Sequence, residues 1–239
     1  MPGPLALVGG DEFHPGNEPH DRLLVEAAAG RPAFVVATAA RDSPGAAVRT
    51  TQHWFTGLGL AVTELRVRTP ADARSDERAA EAGRAGLLYI AGGDPGYVAR
   101  VLEGSRVWAA MRQAWRSGCA LAGSSAGAMA LCEWTLIRAA WPGHTNRRPA
   151  TALGVVPGCA FLPHYDTFGQ RWIPSSQRLL GAETLLVGVD ERTAAVHADG
   201  VWRAYGAGRV TLVRGEQRLS FGPGEAIEGM PAPGDAPAG

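Results

Sequence analysis

Short, continuously apolar runs alternate along this chain with longer segments whose apolar residues recur at helical spacing. The runs at 5–8, 33–38, 87–91, 158–162 and 185–189, and a short one within 117–122, predict strands buried on both faces. Residues 60–67 read as a further strand of period two. Helical spacing covers 21–29, stopped by Gly30, and then 48–58, 71–85 and 98–116, with a break at Gly104. The apolar residues 128–134 and the segment 171–180, beyond Pro174, also read as helices. Strands alternating with helices predict an α/β fold, with a mostly parallel sheet and helices on both faces. Four short runs at 193–197, 201–205, 210–213 and 218–221, separated by glycine turns, predict antiparallel hairpins at one edge. Residues 141–150 read as a long loop. Residues 1–229 are expected to form one domain, and the Pro/Ala/Gly-rich residues 230–239 a disordered tail.

Parallel sheets bind ligands at the carboxyl ends of their strands. Three predicted loops there are rich in glycine: Gly9-Gly10, Gly92-Gly93 and Gly123-Ser124-Ser125-Ala126-Gly127. The last is a G-x-S-x-G sequence between a predicted strand and a predicted helix, the context of a nucleophile elbow. Glycines flank Ser125 because the turn is sharp and a side chain there would meet neighbouring backbone. Ser125 would then stand where free backbone N–H groups can hold a developing negative charge. None of the loops fits G-x-G-x-x-G, so a dinucleotide site is not expected.

Composition narrows the chemistry. All 23 basic residues are arginine, which excludes a Walker A lysine, a Schiff base to pyridoxal phosphate and a Ser-Lys dyad. A base for Ser125 must be His, Asp or Glu. Formal net charge is zero, so neither a nucleic-acid nor a membrane partner is expected. Cys119, Cys132 and Cys159 form no C-x-x-C, so the chain is expected to carry no metal site and no disulfide framework. With no basic, apolar leader and no apolar run of ~18 residues, the expected location is the cytoplasm.

Of the six histidines, His164 follows an apolar strand directly, where a parallel sheet would present it beside the elbow. His14 and His20 lie in a polar loop, His53 on a predicted helix, His144 in the long loop and His197 at the end of a hairpin strand. For the acid that orients the base, Glu191, Asp190 and Asp166 all stand at strand exits.

Five motifs occur in order: Gly-Gly-Asp at 92–94, Gly-Ser-Ser-Ala-Gly-Ala at 123–128, Leu-Gly-Val-Val-Pro-Gly at 153–158, Pro-His-Tyr at 163–165 and Gly-Val-Asp-Glu-Arg-Thr-Ala at 188–194. Together they resemble the dipeptidase E and cyanophycinase family of serine peptidases. That family shares a flavodoxin-like three-layer sandwich with class I glutamine amidotransferases. The resemblance implies Ser125 as nucleophile, His164 as general base and Glu191 as the acid, with the N–H groups of Gly93 and Ala126 as oxyanion hole. It implies no cofactor. The amidotransferases carry cysteine where Ser125 stands. Where cyanophycinases carry Gln after Gly-Gly-Asp, and Asp-Gln before the histidine, this chain has Pro95 and Leu162-Pro163. Activity on β-aspartyl-arginine is therefore expected to be poor. The expected partner is a small peptide, with a homodimer left open. Asp94, Arg147, Arg148 and Arg171 are the candidate substrate contacts, the arginines because a guanidinium fork matches a carboxylate. The rivals to a peptidase are an esterase with the same triad and a non-catalytic ligand- or partner-binding domain.

Overall fold

The computed structural model describes residues 1–138 and 147–234. In chain order its first half has β1 (Leu5–Val8), α1 (Glu18–Ala28), β2 (Ala33–Val36), α2 (Pro44–Gly57), β3 (Val62–Glu64), α3 (Pro70–Ala73), α4 (Asp76–Gly83), β4 (Leu87–Ile90), α5 (Pro95–Leu102), α6 (Arg106–Arg116), β5 (Ala120–Ser124) and α7 (Ala126–Leu131). There follow β6 (Cys132–Arg138), β7 (Arg147–Thr151), β8 (Val156–Leu162), a 3-10 turn (Gly169–Trp172), α8 (Ile173–Leu180), β9 (Leu185–Val189), β10 (Thr193–Ala198), β11 (Val201–Gly206), β12 (Val210–Arg214) and β13 (Gln217–Phe221).

The central sheet has seven strands in the order β11-β10-β1-β5-β4-β2-β3. Its five members from β1 to β3 are mutually parallel, and β10 and β11 close one edge antiparallel. Strand alternation divides the side chains between two cores. Leu5, Leu7, Phe34, Val36, Leu88, Ile90 and Leu121 enter one, and Ala6, Val8, Val35, Leu87, Tyr89, Ala120 and Ala122 the other. Leu24 of α1 and Phe55 of α2 cover the second core. Trp108, Met111 and Trp115 of α6 cover the first, together with side chains of a second sheet. That sheet has six strands in the order β13-β12-β9-β8-β6-β7, parallel through β6, β8 and β9.

Parallel register places the site. Val8 stands opposite Ser124, and Ile90 opposite Gly123, so the loops after β1, β4 and β5 leave the sheet at one edge. In the second sheet Leu162 stands opposite Gly188, so the chain after β8 and the chain after β9 also emerge side by side. Backbone bonds join the two sets of loops: His164 N–H donates to Gly9 O at 2.8 Å, and Arg192 N–H to Gly10 O at 2.8 Å.

Several elements differ from the sequence expectations. The helix expected through Trp134 ends at Leu131, and Cys132–Arg138 is strand β6, because this segment pairs with β8 and β7. Residues 147–151 of the expected long loop form strand β7, while 141–146, with His144, lie outside the described residues. The segment 60–67 contributes only three strand residues. The helical stretch 71–85 divides at Ser75, which caps α4 by accepting from Arg78 N–H. The break at Gly104 separates α5 from α6, and Ser105 caps the second by accepting from Trp108 N–H. The C-terminal hairpins belong to the edges of two different sheets. Within the expected tail, Pro231 O accepts from Trp202 Nε1 at 2.8 Å and Gly234 N–H donates to Val155 O at 2.9 Å; residues 235–239 lie outside the described residues. Among the described residues no helix is long and apolar enough to cross a membrane.

Candidate active site

Ser125 sits between β5 and α7 with φ of 46° and ψ of −106°, a conformation that non-glycine residues rarely hold. The surrounding chain enforces it. A Cβ on Gly123 would lie 2.5 Å from the Gly127 carbonyl carbon, and one on Gly127 would lie 2.2 Å from Ile90 O. Both glycines are thus required by close backbone approach. Ser125 N–H donates to Val8 O at 2.9 Å, which ties the turn to β1.

His164 also has a positive φ, 48°, which turns its side chain from the end of β8 toward the elbow. Its carbonyl accepts from the N–H groups of Phe168 and Gly169 at 2.9 and 2.8 Å, so the loop closes back on it. Its Nε2 lies 3.2 Å from Ser125 Oγ, and its Nδ1 lies 2.7 Å from Glu191 Oε1. An ionised carboxylate only accepts, so Nδ1–H donates to Glu191 and the Nε2 lone pair faces the Ser125 hydroxyl. Phe168 stacks on the imidazole with centroids 4.8 Å apart and planes 22° apart. Gly10 packs against the ring so closely that a Cβ there would lie 2.3 Å from Cε1.

The other acids at the strand exits have different partners. Asp166 Oδ1 accepts from Glu191 N–H at 3.0 Å and so supports the residue that meets His164. Asp190 Oδ2 accepts from Arg209 N–H at 2.9 Å, and burial raises its pKa. The remaining described histidines stand apart. His14 bonds within its own loop, His20 is fully buried, His53 is exposed, and His197 pairs with Leu5, at the opposite end of β1 from the elbow.

Gly93 has φ of 139°, and a Cβ there would lie 2.1 Å from Ala39 O. Among the described residues, the N–H groups of Gly93 and Ala126 have no hydrogen-bond acceptor. Gly92 and Gly93 form one wall of a cavity of about 770 Å³. Arg41, Arg100, Arg138 and Arg147 line it, against two acidic residues, Asp42 and Asp94, with Tyr97 and with apolar and backbone groups. Asp94 caps α5 by accepting from Tyr97 N–H at 2.9 Å and pairs with Arg41 at 3.3 Å. Arg41 and Arg100 both lie over the Tyr97 ring, at 4.5 and 5.2 Å. The Arg147 guanidinium stacks over Trp172 at 4.1 Å, while its Nε is buried without a partner among the described residues. Burial, and then the neighbouring charge of Arg138, lower the Arg147 pKa to about 10. Positive charge therefore exceeds negative charge in this cavity, the electrostatic setting for an anionic group.

Of the four candidate substrate contacts, Asp94 and Arg147 line the cavity. Arg148 and Arg171 are exposed and do not. Arg148 is directed away because neighbouring strand residues alternate sides. Sequence reasoning missed Arg41, Arg100 and Arg138. Each looks like an ordinary surface residue until the loops after β2 and β4 and the strand β6 meet. Among the described residues no group of three or more His, Cys, Asp or Glu could hold a metal ion, and the three cysteines are buried and free.

The profile of peptidase family S51 matches residues 5–203. Among solved structures, a peptidase from an acI-B1 Actinobacterium is similar over 95% of this chain and 97% of its own, with 28% identity and a TM-score of 0.82. A Listeria monocytogenes EGD-e protein described as peptidase E-like is similar over 92% of this chain and 98% of its own, with 15% identity and a TM-score of 0.57, and so is alike in fold. No curated protein sequence matches the chain. The match spans most of the chain, and the chain belongs to peptidase family S51, the enzymes of which are serine-type peptidases.

Proposed function

We propose that this peptidase cleaves short peptides through a Ser125–His164–Glu191 triad and an acyl-enzyme, and prefers substrates that present a carboxylate to the arginine cavity. The observation that carries the proposal is the imidazole held between two partners, 3.2 Å from Ser125 Oγ and 2.7 Å from Glu191 Oε1. In this reading His164 Nε2 accepts the Ser125 proton as Oγ attacks the scissile carbonyl. Glu191 holds the tautomer and stabilises the imidazolium that forms. The N–H groups of Gly93 and Ala126, without an acceptor among the described residues, receive the oxyanion. His164 then gives its proton to the leaving amine, and later takes one from the water that releases the acyl group.

The preference for a carboxylate rests on the cavity beside Gly93. Arg147 is its leading contact, because it lines the cavity with its guanidinium already stacked over Trp172. Asp94 orders the loop and holds Arg41. Pro95 and Leu162 offer no polar side chain to a substrate arginine, and a buried polar group left unpaired costs ~1–3 kcal/mol. The test compares kcat/KM for an Asp-X dipeptide series, β-Asp-Arg and a p-nitrophenyl ester. Acidic short peptides should be the best of the three. Efficient cleavage of β-Asp-Arg would contradict the cavity assignment, and activity confined to the ester would contradict peptide cleavage through this site.

A further inference from the structure

Phe168 lies in the loop that follows His164, and no step of the proposed reaction uses it. Among the described residues it is the one exposed aromatic side chain, at 37%. A lone exposed apolar side chain is ordinary on a protein surface. This one has a particular place, because its ring stacks on the His164 imidazole with centroids 4.8 Å apart.

The loop holds the ring there. His164 O accepts from the N–H groups of Thr167, Phe168 and Gly169 at 3.1, 2.9 and 2.8 Å, and from Thr167 Oγ1 at 3.1 Å. A Cβ on Gly169 would lie 2.2 Å from Pro163 O, so the turn is closed to backbone contact. The buried ring of Trp172 lies beside Phe168, with centroids 5.5 Å apart, and the Arg147 guanidinium lies over Trp172 at 4.1 Å. His164, Phe168, Trp172 and Arg147 thus form one continuous row from the base to the arginine cavity.

The reaction determines what meets this row. His164 Nε2 gives its proton to the leaving amine, so that nitrogen has to come within ~3 Å of Nε2. The side chain of the leaving residue begins two bonds from the nitrogen and so falls beside the imidazole. A Cβ on Gly10 would lie 2.3, 2.5 and 2.7 Å from Cε1, Nε2 and Nδ1, distances that put the Gly10 backbone over one face of the ring. The stacked Phe168 covers the other face. Of the two, only Phe168 offers apolar side-chain surface to the leaving residue. The polar groups next to it are engaged, Thr167 Oγ1 with His164 O and Asp166 Oδ1 with Glu191 N–H. An apolar side chain laid on the exposed ring removes both surfaces from water, whereas a polar one gives up water for little in return.

We infer that Phe168 is a specificity-determining residue: it forms the floor of the subsite for the residue on the leaving side of the scissile bond, and favours a large apolar side chain there. The inference rests on the triad reading, in which His164 protonates the leaving amine. It is separate from the carboxylate preference, which concerns the arginine cavity, so either can hold without the other.

The experiment uses the reverse of the leaving step, in which an added amine captures the acyl-enzyme. The acyl donor is whichever of the acidic dipeptide and the p-nitrophenyl ester turns over faster. Leucinamide, phenylalaninamide, alaninamide and asparaginamide then compete with water. The amine nitrogen attacks the acyl carbon, His164 Nε2 takes a proton from it, and Ser125 Oγ leaves as the imidazole returns that proton to it. Amide and acid products are quantified by mass spectrometry for wild type, Phe168→Ala and Phe168→Gln, each checked for its melting temperature. The ratio of amide to acid cancels a change at His164, because both products come from one acyl-enzyme through one base. In wild type, leucinamide and phenylalaninamide should be captured roughly 5- to 10-fold better than alaninamide and asparaginamide, the worth of an apolar side chain covered on one side. In Phe168→Ala and Phe168→Gln that preference should fall to near unity. A wild type that captures leucinamide no better than asparaginamide overturns the subsite without recourse to any variant, and so does a preference unchanged in both folded variants. A protein acylated at Ser125 by neither donor overturns the triad reading, and this inference with it.

Discussion

Gly10 offers a perturbation whose size can be worked from the structure. The Gly10→Ala change would put a methyl carbon 2.3, 2.5 and 2.7 Å from Cε1, Nε2 and Nδ1 of His164. Ordinary carbon contacts begin near ~3.5 Å, so the ring has to move by about 1 Å. It cannot do so freely, because Ser125, Glu191 and the stacked Phe168 all fix it. A displacement of about 1 Å at a catalytic group costs about 100-fold in rate. Alanine would also have to hold a φ of 124°, a strain of ~1–3 kcal/mol. In a chain of this size each lost kcal/mol lowers Tm by ~2–4 °C. The assay is kcat/KM on the best peptide, alongside thermal melting. A folded variant losing about 100-fold in kcat/KM fits the reasoning. A folded variant within threefold of wild type would refute it, because the ring position would then not limit turnover.

Three further expectations follow from the same contacts. Glu191→Gln should lower kcat by up to ~10⁴-fold, whereas Asp190→Asn should cost far less, since Asp190 serves Arg209; steady-state kinetics on the purified variants decides this. Arg147→Ala should raise KM for an acidic peptide by about 10-fold while changing the rate with a neutral ester much less, and Arg147→Lys should not restore it, because lysine lacks the planar fork that stacks on Trp172. Burial pushes the Asp21 pKa up to about 8, so this group is neutral in the folded protein at neutral pH and ionised in the unfolded chain. The folded state then binds more protons than the unfolded state between about pH 4 and 8, and this group's contribution to stability falls as pH rises through that window. Asp21→Asn should flatten the fall in Tm over that range, read by melting curves from pH 5 to 9.

The elbow was legible in the sequence because its constraints are local. Close backbone approach demands glycine at 123 and 127, and two of the glycine-rich loops mark strands whose carboxyl ends meet it. His164 and Glu191 were legible as residues at strand exits, but spacing alone left Asp166 and Asp190 as equal candidates. The motif around Glu191 pointed to it by resemblance, and in the fold Asp190 turns to Arg209 N–H and Asp166 to Glu191 N–H. Strand β6 was misread because residues 128–134, mostly apolar, have no clear period, and such a run suits a buried helix and a buried strand alike. Tertiary pairing with β8 decides it. Arg147 was legible as a candidate carboxylate contact, but the cavity it lines was not, because Arg41, Arg100 and Arg138 reach it from three other segments.

The central claim is that Ser125 is the nucleophile activated by His164. It is tested most directly by reacting the purified protein with a fluorophosphonate and mapping the adduct by peptide mass spectrometry. The account predicts one adduct per chain, on Ser125, absent from Ser125→Ala and slowed at least ~100-fold in a folded His164→Ala, because members of such a triad act as a unit. An adduct on another residue, or an unchanged rate in His164→Ala, would contradict it.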